Sequence, residues 1–266
     1  MAKIIGRGRT SDVLEYSQDK VLKLFHEEFN WVARDEYDFA RLVRSLDLAA
    51  PEVYELIELE GRKGIVYEFI DGKSMLDEIL AAPSQIKAFA RLLASVHWSI
   101  HSRSNDTLVP VREMLRDRIG QAGDITEEEK ETIYAYLEKL PDGNSICHFD
   151  FHPLNILIGP GLKATVIDWI TVCRGSPFAD VCRTSLIITA AKAPRDRPLI
   201  SRLIITLFKK RLNSLYLSEY RKLSGCKKKD IDQWKLPVAA ARLAENIPEE
   251  KDYLMKIVRK GVKKAA

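Results

Sequence analysis

Apolar residues fall in short strand-length runs at the start of the chain and at helical spacing over most of the rest. Between residues 3 and 25, KIIGRG, DVLEYS and KVLKLF read as three short strands separated by turn-forming residues. The spacing then lengthens. In FNWVARDEYDFARLVRSL, residues 29–46, Phe29, Val32, Ala33, Phe39, Leu42 and Val43 recur with the period of a helix. Beyond Pro51, EVYELIELEG and RKGIVYEFI return to strand-like runs and predict a hairpin that turns at Glu60-Gly61-Arg62-Lys63-Gly64.

From Ser74 onward the pattern is mostly helical. SMLDEILAA predicts a short helix stopped near Pro83, and SQIKAFARLLASVHWSIHS a long amphipathic one. VREMLRDRIGQ and TEEEKETIYAYLEKL follow; the second opens with Thr126 as N-cap and Glu129 at the third helical position, the pattern of a capping box. Residues 146–170 break the helical run with a loop and a hairpin whose arms are NILIGPG and KATVIDW, turning at Gly159-Pro160-Gly161. Four helical segments, 177–192, 197–222, 228–245 and 249–264, close the chain, the third expected to break or kink at Pro237. There is no internal repeat. The expectation is an α+β chain with a small antiparallel-sheet N-terminal lobe, residues 1–70, and a larger, mainly helical C-terminal lobe, residues 71–266.

Composition changes this picture little. The chain has 266 residues, 46% hydrophobic and 30% charged, as expected of a soluble globular protein with a sizeable core. A net charge of +4 is too small to call for a nucleic-acid partner, and the late runs Lys209-Lys210-Arg211, Lys227-Lys228-Lys229 and Lys263-Lys264 read first as solvated helical faces, with an anionic partner as the alternative. The four cysteines, 147, 173, 182 and 226, have neither C-x-x-C nor zinc-finger spacing and fit reduced thiols. No run is long and apolar enough for a membrane span, and the start lacks the apolar stretch of a signal peptide. A cytoplasmic protein with no membrane partner is the expectation.

Candidate chemistry changes it more. In HFDFHPLNIL, residues 148–157, an extended backbone would place His148, Asp150 and His152 on one face, a possible ligand set for zinc or non-haem iron and hence for a metal-dependent hydrolase. The same stretch also spaces Asn155 five residues after Asp150 behind a His-x-Asp opening, as in a phosphoryl-transfer loop with Asp as base and Asn as magnesium ligand. The rest of the chain favours the second reading. Gly6, Gly8, Ser11 and Val13 lie between the first two strands with G-x-G-x-x-S-x-V spacing, either a plain hairpin turn or a loop whose backbone N–H groups meet phosphate. Lys23 stands in the apolar strand VLKLF, and Glu36, thirteen residues later on the predicted helix, can supply its carboxylate partner. Glu68, Phe69 and Ile70 leave the last N-terminal strand, where a hinge would offer backbone groups to an adenine edge. Asp168, thirteen residues after Asn155, ends the second hairpin arm, so amide and carboxylate together can hold Mg2+ through hard oxygen ligands. These signals occur in the required order in the required elements. The metal-hydrolase alternative needs further ligands, and the remaining histidines are His26, His97 and His101.

HFDFHPLNIL with VIDW resembles the catalytic loop H-G-D-x-H-P-x-N of aminoglycoside phosphotransferases and the related choline and fructosamine kinases. GRGRTSDV, KVLKLF, YEFIDG, LLASVH and Asp180 extend the resemblance over most of the chain. Two positions depart from it: Phe149 replaces the usual glycine, and Leu154 stands where glycine is common. The resemblance implies a bilobed protein-kinase-like fold and transfer of phosphate from ATP or GTP, with Mg2+, to a hydroxyl of a small molecule. In it the nucleotide sits between the lobes, Lys23 contacts the α/β-phosphates, the 6–13 turn covers them, Asn155 and Asp168 hold magnesium, and Asp150 takes or orients the acceptor hydroxyl. A catalytically silent nucleotide-binding module is the alternative. A protein kinase is disfavoured, because Trp169-Ile170 follow Asp168 and no Ala-Pro-Glu segment follows.

Overall fold

The computed structural model describes residues 3–190 and 198–265. In chain order its elements begin with strands β1 (Ile4–Arg7), β2 (Ser11–Ser17) and β3 (Lys20–Phe25), helix α1 (Val32–Ser45), strands β4 (Val53–Leu59), β5 (Arg62–Glu68) and β6 (Lys73–Ser74), and helix α2 (Met75–Ala81). Helices α3 (Ile86–His101), α4 (Val111–Gln121) and α5 (Glu127–Leu137) follow, then strands β7 (Ser145–Cys147), β8 (Ile156–Ile158), β9 (Ala164–Val166) and β10 (Cys173–Gly175). The last helices are α6 (Pro177–Ala190), α7 (Leu199–Ser224), α8 (Lys228–Asp232), α9 (Lys235–Leu243) and α10 (Pro248–Ala265). The expected helical residues 191, 192 and 197 lie outside the described residues.

The chain forms two compact units, one of residues up to 81 with 153–171, the other of 82–152 with the residues from 172 on. These bounds are drawn differently from lobes at 1–70 and 71–266. The reason is a strand pairing: β6 runs antiparallel to β8, Lys73 opposite Ile158, and makes a three-stranded sheet in the order β6-β8-β9.

The first unit is built on an antiparallel sheet in the order β1-β2-β3-β5-β4. Side chains alternate across β3, so Leu22 and Leu24 pack with Val66 on one face. Phe25 and Ile65 pack on the other, under Val32 and Ala33 of α1. The β4–β5 turn is tighter than the five residues expected. Only Glu60 and Gly61 turn, both left-handed at φ 52° and 77°, the conformation of a two-residue hairpin loop, and Arg62 already belongs to β5.

The second unit is mainly helical, with β7 paired antiparallel to β10 at its centre. The capping box of α5 is formed: Thr126 Oγ1 accepts from Glu129 N–H at 3.2 Å, and Glu129 Oε2 accepts from Thr126 N–H at 3.1 Å. The expected break at Pro237 falls instead at Gln233–Trp234, between α8 and α9. Pro237 is the third residue of α9, in the first turn, where a missing N–H costs no helical hydrogen bond. All four cysteines are free. Among the described residues, no helix is long and apolar enough to cross a membrane.

Candidate active site

In the sheet unit, α1 buries Val32, Ala33, Glu36, Ala40 and Val43, a single stripe in which Glu36 is the one charged member. Its neighbours Asp35 and Asp38 are exposed, which settles which of the three acids faces the sheet. Lys23 on β3 pairs in register with Val13 on β2 and Ile65 on β5. Its Nζ donates to Glu36 Oε1 at 2.6 Å and to Asp168 Oδ1 at 3.0 Å. The Tyr67 hydroxyl donates to the same Glu36 oxygen at 3.2 Å. Burial acts against the Lys23 charge, but the Glu36 and Asp168 carboxylates outweigh it and raise the ammonium's pKa. Burial raises the Glu36 pKa, with Lys23 opposing. Lys23 therefore stays a fixed cation, and Asp168, 39% exposed, keeps an open side.

Asn155 and Asp168 reach the same end of the β8–β9 hairpin. Ile156 pairs with Val166, and Ile167 N–H donates to the Asn155 carbonyl at 3.0 Å. Asp168 itself is left-handed, φ 67°, a conformation Asp tolerates better than most residues. An amide oxygen and a partly open carboxylate are hard donors that fit a magnesium ion.

The turn expected to lie over phosphate joins β1 to β2, with Gly6 opposite Val13. Gly8 N–H donates to Ser11 O at 2.8 Å, and a Cβ on Gly8 would press to 3.2 Å from that oxygen, so the tight loop favours glycine there. At the end of β5, Glu68 N–H is taken by Glu52 O at 2.9 Å and Phe69 N–H by Asp19 O at 2.8 Å. Of the three expected hinge residues, Glu68 and Phe69 thus have their N–H groups already bonded within the sheet unit.

In the helical unit, Asp150 follows β7 in a loop held from outside itself. Asp180 on α6 accepts from His148 N–H at 2.6 Å and from Phe149 N–H at 3.2 Å. Asp150 N–H donates to His148 Nδ1 at 3.2 Å. Phe149 is left-handed, φ 61°, which is why glycine suits this position; its ring is nevertheless fully buried, 5.2 Å beneath the Arg183 guanidinium, whose Nε donates to Phe149 O. Leu154 is exposed, so its bulk does not crowd the loop. Asp150 Oδ1 lies 3.6 Å from Arg183 Nη2, and Oδ2 lies 3.5 Å from His152 Nε2. Burial opposes ionisation of Asp150, but the His152 hydrogen bond and the Arg183 charge prevail and hold its pKa well below the carboxylate range.

Beneath the loop, Nε2 of His97 and His101 lie 3.1 and 3.3 Å from Asp180 Oδ2, while their Nδ1 atoms meet the hydroxyls of Tyr216 and Tyr220 at 2.7 and 2.6 Å. Burial, reinforced by His101, lowers the His97 pKa to about 3. Burial works against the Asp180 charge, and the two imidazoles overcome it, so its carboxyl stays far below the usual range. Among the described residues, His97, His101 and Asp180 are the cluster with metal-ligand spacing; His148, Asp150 and His152 are not. The Asp180 oxygens already receive two backbone N–H groups, so the cluster works as a hydrogen-bonded post under the loop. Sequence reasoning missed Arg183 and the histidine pair. The signal was there: Asp180 and Arg183, one turn apart, are charges inside the apolar run of α6.

A model of the family described as "Phosphotransferase enzyme family" matches residues 3–207. Comparison with curated protein sequences finds no match. Among solved structures, an apo thermostable mutant of aminoglycoside phosphotransferase APH(4)-Ia is similar over 100% of this chain and 95% of its own, with 14% identity and a TM-score of 0.69. Choline kinase LicA from Streptococcus pneumoniae is similar over 100% and 93%, with 16% identity and a TM-score of 0.63. Aminoglycoside-3'-phosphotransferase of type VIII matches over 92% of both chains, with 16% identity and a TM-score of 0.62. At these identities the likeness establishes the fold, which is protein-kinase-like.

Proposed function

The chain belongs to the phosphotransferase enzyme family, and we propose that it moves the γ-phosphate of ATP, or of GTP, to a hydroxyl of a small molecule. The observation that carries this reading is the Lys23–Glu36–Asp168 constellation, a buried carboxylate holding a lysine that also reaches the exposed carboxylate at the end of the β8–β9 hairpin. Solved relatives support a nucleotide co-substrate: APH(4)-Ia has been crystallised with ADP and hygromycin B, and LicA with AMP.

In this reading Lys23 meets the α/β-phosphates, and Ile70 offers its N–H to the base. Asn155 and Asp168 would hold magnesium, which supplies charge neutralisation on the phosphates. The acceptor oxygen attacks the γ-phosphorus while the bond from that phosphorus to the bridging oxygen breaks, and the nucleoside diphosphate leaves with the bonding electrons. The hydroxyl proton passes to Asp150. A carboxylate held as acidic as Asp150 is a weak base, and a weak base suffices: in a loose transition state the hydroxyl proton becomes acidic only late, so Asp150 chiefly orients the hydroxyl. A nucleotide co-substrate of the kind cells keep inside supports the expectation of a cytoplasmic enzyme.

The test is Asp150→Asn. It removes the proton acceptor while leaving the sheet unit untouched. Binding of a fluorescent ATP analogue is expected to match that of the wild type, and acceptor-dependent ADP release to be lost. Normal turnover by the variant would refute the assignment of the base.

A further inference from the structure

The charged groups around Asp150 narrow the class of acceptor. Glu245 serves three guanidiniums at once: Oε1 takes Arg183 Nη2 at 2.6 Å and Arg118 Nη1 at 3.4 Å, and Oε2 takes Arg242 Nη1 at 3.0 Å. Glu250, itself buried, is gripped by Arg242 through Nε at 2.5 Å and Nη2 at 2.8 Å. Every carboxylate of this cluster is therefore already committed to arginine. An acceptor rich in ammonium groups would have to break one of these pairs, leaving a buried guanidinium uncompensated, a costly exchange.

The arginines are not equally committed. Arg242 has Glu250 as well as Glu245, and Arg183 has Asp150 as well as Glu245. Arg118, on α4, has only the longest of the three contacts to Glu245, and its side chain is 24% exposed, so a ligand can reach it. Counting Asp150, the cluster holds three cations and three carboxylates, so weak pairing rather than net charge makes Arg118 available. Two observations agree. Burial, followed by the Arg183 charge, lowers the Arg118 pKa, the mark of an under-compensated cation. Arg183 Nη1 is buried with no hydrogen-bond partner, so the cationic side of the cluster has donors to spare. Arg118 is joined to Asp150 by a chain of contacts, Arg118 to Glu245 at 3.4 Å, Glu245 to Arg183 at 2.6 Å and Arg183 to Asp150 at 3.6 Å, so the two groups belong to one continuous cluster.

We propose that the acceptor is a hydroxyl compound bearing an anionic group, a carboxylate or a phosphate, and that Arg118 receives that group through charge-assisted hydrogen bonds. This rests on the phosphotransferase reading and names its substrate class. Arg118 fixes the anionic end, and the hydroxyl of the same molecule is presented to Asp150.

The experiment pairs binding with turnover. A panel of amino alcohols and aminocyclitols, neutral polyols and sugars, hydroxy acids, and sugar phosphates is tested by ligand-observed saturation-transfer NMR and by magnesium-dependent ADP release. Wild type, Arg118→Gln and Arg118→Lys are compared. The expected result is binding and turnover of an anionic class, with hydroxy acids and sugar phosphates distinguishing carboxylate from phosphate. Arg118→Gln should raise KM about tenfold or more, the loss of a charge-assisted hydrogen bond, with a smaller fall in kcat. Arg118→Lys should recover part of it. Preferred turnover of cationic or neutral acceptors, or an unchanged KM in Arg118→Gln, overturns the proposal while the transferase reading stands. Arg118-dependent anion binding without ADP release under any condition supports the anion site and refutes the transferase reading. No binding of anions to the wild type overturns the proposal whatever the turnover.

Discussion

Replacing Phe149 sets two opposed effects against each other, and their balance can be worked from the structure. A residue with a Cβ at φ 61° carries a left-handed penalty of roughly 1–2 kcal/mol, which glycine would relieve. The ring, however, is fully buried beneath Arg183, and removing a buried phenylalanine side chain costs roughly 3–5 kcal/mol. Burial wins. Phe149→Ala loses the ring and keeps the penalty, so it should lose about 3–5 kcal/mol. Phe149→Gly recovers the penalty, less about 0.5–1 kcal/mol for the freer unfolded chain, and should lose roughly 2–4 kcal/mol. The expected order of stability is wild type, then glycine, then alanine. Equilibrium urea denaturation followed by far-UV circular dichroism measures it, provided the slope with denaturant stays the same for all three. A glycine variant at least as stable as the wild type would show that the ring does not hold the loop. An alanine variant more stable than the glycine one would show that the backbone there is not left-handed.

Acid should weaken the helical unit through His97. Its pKa is about 3 when folded and ordinarily 6.5, so between these values the unfolded chain binds a proton that the folded one excludes. Stability is therefore lost as pH falls from 6.5 towards 3, by up to about 1.4 kcal/mol per pH unit, or roughly 2 kcal/mol by pH 5. Asp180, with its depressed pKa, adds a loss of the same sign at lower pH. Urea midpoints measured from pH 7 to pH 5 should fall for the wild type and fall less for His97→Asn; parallel slopes would contradict a buried neutral His97. In the sheet unit, Gly61→Ala should cost about 1 kcal/mol, the left-handed penalty alone, because nothing lies within 4 Å of the added methyl. A thermal melt with no change would mean that the β4–β5 turn takes another form.

Strands β1 to β5 and the longer helices were legible in the sequence because each carries its own period, and so were the β8–β9 hairpin and the capping box; β6, β7 and β10, two or three residues long, carry no period and went unseen. What was not legible depended on partners far along the chain. Glu36 is the exception, a local choice: Asp35 and Asp38 fall on other faces of α1, and Glu36 shares the buried stripe with Val32, Ala33, Ala40 and Val43. Pro237 reads as a helix breaker unless the helix is known to begin two residues earlier. The turn at Glu60–Gly61 was drawn too long because Arg62, Lys63 and Gly64 look like loop residues, whereas strand pairing with β4 claims them. Phe149 read as a disturbance of a glycine position. Only the arginine that roofs it, 34 residues away in sequence, explains how a phenylalanine fits. Arg183 itself went unnoticed because its partners, Phe149 O and Glu245, come from two other parts of the chain.

The Asp180 post under the loop has a kinetic meaning. The amides of His148 and Phe149 bond to a side chain more than thirty residues away, and that side chain is held by helices α3 and α7 through the two imidazoles and their tyrosines. No local segment can shape this loop alone. It forms only once three distant helices have closed around one carboxylate, so it belongs with the slow, non-local events of folding. Conversely, it cannot fray by itself: opening it means opening the core of the helical unit, so its protection against exchange should approach that of the whole unit.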